Sequence, residues 1–437
     1  GARIKEGALR VLASRTGEER AFLLPTRYGS VAGPSAARIA RRADQVTRIG
    51  GLVALVTAPL GLALTGDPGL AGQISAAAAV LLAAPLLAAR RGAESPLIAA
   101  AASAGHRGVI YQDAAAMEAA GRVATAAVCA EGVITEGRPE VVELHTDGSR
   151  TEVLAMIMGA EATVDHPIAS ALMRYGRAEG VSPAAMRRPQ RRRGRGVTAL
   201  NTRGEPFVIG TRQLLLDEGV SVAALDAIAD SFEARGQTAL FVGVGGKVRA
   251  VVAIQDAVRP GARAAVQRLF DLGIDVVLLS ADHRATVEAL AGPLDVTNVK
   301  AELLPEEQGE AVKLLRDAGG LSAALGRLPF DKEPLESSDV PLYMGHAGLP
   351  EDGRGVAIAT RDVRDAAAAL WIAKAARAEA TRGVVLSVGG GGVLMAAAAM
   401  GWVIPGFAAT LAAAIDAFVL PAGARLLRRI ERRLPPN

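Results

Sequence analysis

Cys129 closes an apolar stretch, Val123 to Val128, and opens a glycine turn that runs Ala130-Glu131-Gly132-Val133-Ile134-Thr135-Glu136-Gly137-Arg138-Pro139. A thiol at a strand end beside an arginine has a lowered pKa and reacts; a thiol buried among apolar groups is inert. Both readings stay open at this stage. The chain has 1 cysteine, which excludes an internal disulfide framework and any multi-cysteine zinc or iron–sulfur site. Other groups able to do chemistry follow apolar runs or glycine turns. Asp282 follows Val276-Val277-Leu278-Leu279, and Asp331 follows Leu325-Gly326. His166, in Asp165-His166-Pro167, offers a stacking face and a donor, and glycines such as Gly194 and Gly196 let backbone approach a ligand closely. Asp416 lies inside an apolar run, where a carboxylate is a functional-site candidate by default. Its bland alternative is to snorkel or to pair with Arg425.

The elements that must position these groups are legible from patterning. Val123 to Val128 reads as a short strand. The unbroken run Val276 to Leu279 reads as a fully buried parallel strand, and Ala262 to Leu272 as a helix by its apolar spacing. Phe241 to Val244 and Val251 to Ile254 read as strands that return to the domain of Cys129. Strands alternating with helices, with reactive groups at strand carboxyl ends, describe a doubly wound α/β domain.

Half of the residues are hydrophobic and 22% are charged, so apolar blocks stand beside charged ones. Ile49 to Gly66 and Leu70 to Ala89 form one pair of apolar runs, joined at Gly66-Asp67-Pro68-Gly69. Val384 to Met400 and Trp402 to Ala422 form another, hinged at Ile404-Pro405-Gly406. Each run is near the length that crosses a ~30 Å hydrocarbon core. Two buried helices of a large soluble core are the alternative for the first pair. Arginines flank both pairs (Arg38, Arg41, Arg42, Arg48, Arg90 and Arg91; then Arg382, Arg425, Arg428, Arg429, Arg432 and Arg433), which puts the ends in the cytoplasm. A net charge of +4 with arginines clustered at apolar runs suits a membrane face, and nucleic acid is not expected as a partner. Ser35 to Val46 reads as a basic amphipathic helix, and two short strands are expected before it, around residues 7–12 and 20–24. The chain has no initiator Met and no signal peptide, and it reads as a possible fragment.

The stretch from Cys129 to Pro139 resembles the phosphorylation loop of the P-type ATPases, D-K-T-G-T-L-T-x-G-x-P. Gly132, Thr135, Gly137 and Pro139 match it. Cys129 stands at the phosphorylated aspartate, Ala130 at the lysine and Glu131 at the threonine. Further stretches follow in the order of the heavy-metal branch of that family. Gly105 to Glu118 resembles its approach to the phosphorylation strand. Glu161-Ala162-Thr163-Val164-Asp165-His166-Pro167 resembles E-x-x-S-E-H-P, Gly194-Arg195-Gly196-Val197 resembles G-x-G-V, and Val208-Ile209-Gly210-Thr211 resembles V-G-N. Asp256-Ala257-Val258-Arg259-Pro260 resembles D-x-x-R-P, and Ser280-Ala281-Asp282-His283 resembles T-G-D-N. Gln308 replaces a phosphate-binding lysine. Gly326-Arg327-Leu328-Pro329-Phe330-Asp331 resembles G-D-G-I-N-D, with Arg327 at the magnesium-binding aspartate and Phe330 at the asparagine. Ala84-Pro85-Leu86 takes the place of C-P-C, so the usual soft-metal ligands are absent while the proline kink is kept. In the closing helices Gly391-Gly392 and Ile415-Asp416 take the places of ligand residues.

The resemblance implies a multi-domain membrane protein. It has a doubly wound haloacid-dehalogenase-like phosphorylation domain, an inserted α+β nucleotide-binding domain and transmembrane helical hairpins. The expected order is an actuator remnant and linker (1–45), a transmembrane hairpin (46–91), the first part of the phosphorylation domain (92–142), the nucleotide-binding domain (143–247), the second part (248–372), and a C-terminal transmembrane hairpin (373–437). Thr16-Gly17-Glu18 has the letters of the actuator loop but not its place. The resemblance implies that Glu161, His166, Gly194 and Gly196 surround ATP; helix capping and turn chemistry are the plainer account of the same residues. The arginine run Arg187 to Arg195 attracts phosphates or is a solvated loop. Catalytic places fall on Cys129, Asp282, Gln308 and Asp331, and Mg²⁺ has lost ligands at Cys129 and Arg327. Phosphoryl transfer needs an oxygen nucleophile in line and a metal to neutralise charge. The reading is therefore a pseudo-ATPase in a bacterial plasma membrane, with its catalytic-type domains cytoplasmic. Expected partners are lipid, nucleotide and another membrane transporter subunit. An active ATP-driven metal-cation transporter with atypical site residues and a non-functional fragment are the alternatives.

Overall fold

The computed structural model describes residues 37–64, 69–84, 88–317, 319–346 and 354–434. The strands expected before the first basic helix, the Thr16-Gly17-Glu18 letters, most of the Gly66-Asp67-Pro68-Gly69 turn, and Pro85-Leu86 lie outside the described residues. The chain divides into two compact units. One holds residues 122–346 and 360–368, and the other holds the rest.

In chain order the strands are β1 (Val109–Tyr111), β2 (Val123–Cys129), β3 (Glu140–Thr146), β4 (Arg187–Arg192), β5 (Gly196–Leu200) and β6 (Pro206–Gly210). Then come β7 (Thr238–Val244), β8 (Lys247–Gln255), β9 (Asp275–Leu279), β10 (Asn298–Lys300), β11 (Leu321–Gly326), β12 (Val340–Met344) and β13 (Val356–Ile358).

In the unit that carries Cys129, β12, β11, β2, β9 and β10 lie side by side and run parallel. The central strands are short apolar runs buried along most of their length, as a sheet covered on both faces requires. Small residues at Ala126, Ala127, Ala323 and Ala324 are fully buried, and the helix Pro305–Asp317 packs Val312 against Ala127, Val277 and Leu279. Helices Ala262–Asp271, Arg284–Ala291, Pro305–Asp317 and Lys332–Ser337 connect the strands. Because β2, β9 and β11 run the same way, their carboxyl ends bring Cys129, Ser280 and Arg327 to one edge of the sheet.

The same unit holds a second, antiparallel sheet in the order β3-β8-β7-β6-β5-β4. Alternation along its strands serves two cores. Phe207, Ile209, Val242 and Val252 pack with Leu154, Ile157, Met158 and Leu172 of two helices on one face. Val208, Phe241 and Val251 pack with Leu214, Leu215 and Phe232 on the other. Here β8 differs from the sequence expectation. The strands around Phe241 and Val251 do not return to the domain of Cys129; they are adjacent, joined by Gly245-Gly246 at φ 59° and 78°, a turn open to glycine. The inserted sheet therefore ends at Gln255 instead of residue 247. Alternation alone does not say which sheet a strand joins.

The other unit is mostly helical, with β1 antiparallel to β13. Its basic amphipathic segment and first apolar run form one helix, Arg38–Leu64, without a break at Val46. The next helix, Leu70–Ala83, stops short of Ala89, and Pro85 stands just beyond it in the sequence, a residue common past helix ends. The helix Val363–Ala399 begins well before Val384. A turn with Gly401 at φ 73° leads to Pro405–Val419, where proline takes the first helical turn, and then to Ala422–Arg433. Val363–Ala399 and Pro405–Arg433 are long and apolar enough to cross a bilayer. Their apolar windows are only 28% and 22% buried, with Val385, Val393, Phe407 and Phe418 exposed, unlike the core helices of a water-soluble protein. Arg425 pairs with Glu379 at 3.4 Å and donates to the Phe418 carbonyl, so the expected alternative partner of Asp416 is engaged elsewhere.

Candidate active site

The turn after β2 is built by backbone chemistry first. Gly132 has φ 76° and Gly137 φ 70°, conformations that a side chain disfavours. The Gly132 amide donates to Thr135 Oγ1 at 2.8 Å, and the Thr135 amide donates to the Ala130 carbonyl at 3.1 Å. Two residues just beyond β8 then fix the turn from outside. Asp256 accepts from Thr135 Oγ1 at 2.6 Å, from the Gly137 amide at 2.9 Å and from the Arg138 amide at 3.0 Å. Arg259 donates Nε to the Val133 carbonyl at 3.2 Å and Nη2 to the carbonyls of Gly132, Thr135 and Glu136 at 3.1, 3.0 and 3.1 Å. One carboxylate takes the donors of the turn and one guanidinium takes its acceptors, each by charge-assisted bonds.

The reactive groups sit inside this frame. Cys129 is 2% exposed, and the Asp331 carboxyl lies close enough to act on its thiol. Burial, then the charges of Asp331 and Glu131, push its thiol well above the ordinary range, against a smaller opposing pull from Arg327. Burial of the thiol fits the inert of its two readings. Asp331 accepts the Arg327 amide on Oδ2 at 2.7 Å, and burial raises it to about 6. Glu131 reaches water within a cleft crowded by protein, and accepts from Ser280 Oγ. That crowding and the nearby Asp282 push its carboxyl up to about 8. Asp282 accepts from Thr238 Oγ1 at 3.0 Å and is also raised, chiefly by burial. Arg327 lies flat against the turn: a β-carbon on Gly132 or Gly137 would run into its guanidinium. Its Cζ is 5.7 Å from the centre of the Phe330 ring.

The residues expected around a nucleotide belong to the inserted sheet. Glu161 ends the helix Arg150–Glu161, is 6% exposed, and is raised to about 7 by burial against the pull of Arg191. His166 caps the helix Pro167–Ala178, its Nδ1 accepting from the Ile168 amide at 3.3 Å, so the capping account of this residue is realised. Burial and then Arg191 lower its pKa. Its ring also meets Phe330 edge to face, with centroids 6.0 Å apart. Gly194 and Gly196 flank the turn between β4 and β5, at φ 72° and 142°. Gly194 rests on Leu304 and Pro305, while Gly196 lies too close to the Ile209 carbonyl for a β-carbon. Three of the six arginines in the run are paired: Arg192 with Glu218, Arg193 with Glu306 and Glu333, Arg195 with Asp217.

Cys129, Asp282 and Asp331 thus come together around Glu131, and His166 joins them through Phe330. Gln308 stands apart in its bonding: it is 8% exposed and directs Nε2 to the Leu303 carbonyl at 3.5 Å. Asp416 belongs to the other unit. Sequence reading gave no role to Asp256, Arg259, Ser280 or Thr238. The one available signal was the spacing of Asp256 and Arg259 before a proline.

A family model for haloacid dehalogenase-like hydrolases matches residues 130–326. A probable copper-transporting ATPase, PacS, from Synechococcus elongatus is 30% identical over 368 residues, covering 82% of this chain and 48% of that protein. A copper-exporting P-type ATPase from Vibrio cholerae is 26% identical over 346 residues, covering 78% of this chain and 38% of that protein. The chain is a member of the heavy-metal P-type ATPase family. A zinc-transporting PIB-type ATPase in its E2.Pi state shares the fold at TM-score 0.57 and 23% identity, covering 95% of this chain and 65% of the other. This P-type ATPase relative spans less than half the length of these copper-transporting proteins.

Proposed function

We propose that this chain is a membrane-embedded P-type ATPase relative that has lost ATP-dependent phosphoryl transfer and serves as a nucleotide-responsive partner of another membrane transporter subunit. The observation that carries this reading is the seat of Arg327. A guanidinium lies on the glycine turn where the family resemblance places a magnesium-binding aspartate. Among the described residues, no group of three or more His, Cys, Asp or Glu is arranged to hold a metal ion. A fixed cation beside a neutral thiol does not fit Mg²⁺, so no step is derived through the metal. Burial holds the Cys129 thiol toward its protonated form, which argues against a thiolate nucleophile there. Gln308, turned to Leu303, supplies no positive charge to a phosphate.

ATP binding is the part of the activity whose residue types survive, at Glu161, His166, Gly194 and Gly196. The two long apolar helices support residence in a bilayer, and the arginines at their ends support a cytoplasmic placement of the two sheets, in keeping with a bacterial plasma membrane. The absence of thiolates around Pro85 argues against copper or zinc as cargo at the usual place.

One observation favours a second reading. Glu131 brings a carboxylate back into the cleft two residues after Cys129, beside Asp282. Once deprotonated, a carboxylate oxygen there would give an active transporter with atypical residues an oxygen nucleophile. Titration of the purified chain with a fluorescent ATP analogue, repeated on His166→Ala, tests the first reading. Saturable binding that weakens in the variant is expected. Turnover of ATP that disappears in Glu131→Gln sinks the first reading in favour of the second.

A further inference from the structure

The Arg327 guanidinium forms no close ion pair, although its charge acts on the nearby Asp331 carboxyl. Among the described residues its side chain makes no ion pair or hydrogen bond, and its Nε is buried without an acceptor. A buried donor left unmade costs about 1–3 kcal/mol, so the site gains from any ligand that supplies an acceptor. The carboxylates of the cluster have other partners. Asp331 takes the Arg327 backbone amide, Asp256 takes the turn's donors, and Glu131 takes Ser280. Arg259 adds a second positive charge, near enough that Arg327 lowers its pKa. Its Nε and Nη2 donors are committed to the carbonyls of Val133, Gly132, Thr135 and Glu136. The guanidinium lies flat on Gly132 and Gly137, where a side chain on either glycine would displace it. The Phe330 ring, 43% exposed, stands 5.7 Å from its Cζ. The turn is therefore shaped to hold a planar cation at its mouth.

We propose that Arg327 has replaced the divalent metal as the site's cation, so that the Cys129–Pro139 turn binds a phosphate group without metal, through the guanidinium fork of Arg327. The inference rests on the reading that phosphoryl transfer is lost, and deepens it: the turn is a phosphate receptor in place of a phosphate acceptor. Planar, bidentate recognition of a tetrahedral oxyanion is what a guanidinium does better than an ammonium. The phosphate is either free inorganic phosphate or the terminal phosphate of a nucleotide.

The test is calorimetric titration of the full chain in detergent, with inorganic phosphate in one arm and ATP in the other, each in EDTA and again in excess Mg²⁺. Binding in EDTA that Mg²⁺ does not strengthen is expected in at least one arm. The phosphate arm alone names the free ion, and the ATP arm alone names the nucleotide. Arg327→Gln is expected to lose about tenfold or more in affinity in EDTA, and Arg327→Lys to fall between, keeping the charge and losing the fork. Binding that requires Mg²⁺, or no binding in either arm, overturns the inference, and both comparisons use the unmodified chain, so neither depends on a variant folding. Equal affinity of wild type and Arg327→Gln also overturns it. Incubating the same sample with γ-labelled ATP separates the two claims. Covalent label refutes the loss of phosphoryl transfer, whereas absent label with metal-dependent binding refutes this inference alone.

Discussion

Two regions of the sheet-bearing unit depart from the family pattern in opposite ways. At the Cys129–Pro139 turn the frame is intact and the reactive groups differ from the family pattern. At the Glu161–Gly196 region the residue types match the pattern, and their bonding is largely structural. The contrast separates two kinds of residue. Gly132, Thr135, Gly137, Asp256 and Arg259 hold each other through hydrogen bonds that shape the turn whether or not chemistry occurs. Cys129, Glu131 and Arg327 are the side chains that chemistry alone would specify, and these are the ones that differ. His166 belongs to both kinds, since it caps a helix and faces Phe330.

The sharpest way to break this comparison is to attack the frame. Arg259→Ala removes the donor to four carbonyls and is expected to cost about 3 kcal/mol or more, measured by urea unfolding of the full chain in detergent. A loss comparable to that of an ordinary surface substitution would show that the turn holds itself. Gly132→Ala comes next. Its positive φ and the overlap with the Arg327 guanidinium predict a loss of about 1–3 kcal/mol. Part of that loss should return in Gly132→Ala/Arg327→Ala, because the overlap is gone while the backbone strain remains. Strict additivity of the two substitutions would place Arg327 away from the turn.

A smaller effect concerns pH. Glu131 rises from the ordinary 4.5 to about 8 in the folded chain. The folded state therefore binds the proton more tightly than the unfolded state. Stability from this group is fully present below about 4.5 and is lost as pH rises through 8. Glu131→Gln should flatten that part of the stability profile and make the chain relatively more stable above pH 8, as read by thermal unfolding across a pH series. An unchanged profile would mean that Glu131 ionises freely into solvent. The smallest effect is expected at Phe330. Its partly exposed ring contributes an edge-to-face contact worth about 0.5–1.5 kcal/mol, so Phe330→Ala should barely change stability while altering the binding of a fluorescent ATP analogue. A large stability loss with unchanged binding would make Phe330 a packing residue only.

Much of the parallel sheet was legible because continuous apolar runs such as Val276–Leu279 have one comfortable place, buried between layers. Alternating runs such as Phe241–Val244 announced a strand but not its sheet, since alternation fixes a face and not a neighbour. The membrane helices were legible as apolar blocks. Their limits were not, because Ala-rich flanks such as Ala366 to Ala376 continue a helix without changing its hydropathy. Within the site, the positions of Cys129, Asp282 and Asp331 followed from strand ends. The roles of Asp256 and Arg259 did not, because they act on backbone groups whose orientation exists only after the turn has formed. The state of Cys129 depended on burial, which a single sequence leaves undetermined between two opposite outcomes.

The most direct test of the central claim is to count acid-stable label on the purified wild-type chain after incubation with γ-labelled ATP. A Cys129→Ala/Glu131→Gln variant sets the background. The account predicts label at that background, with and without Mg²⁺. Label above it, released by hydroxylamine and lost in Glu131→Gln alone, would mean that a carboxylate in the cleft still accepts phosphate, and would contradict the account.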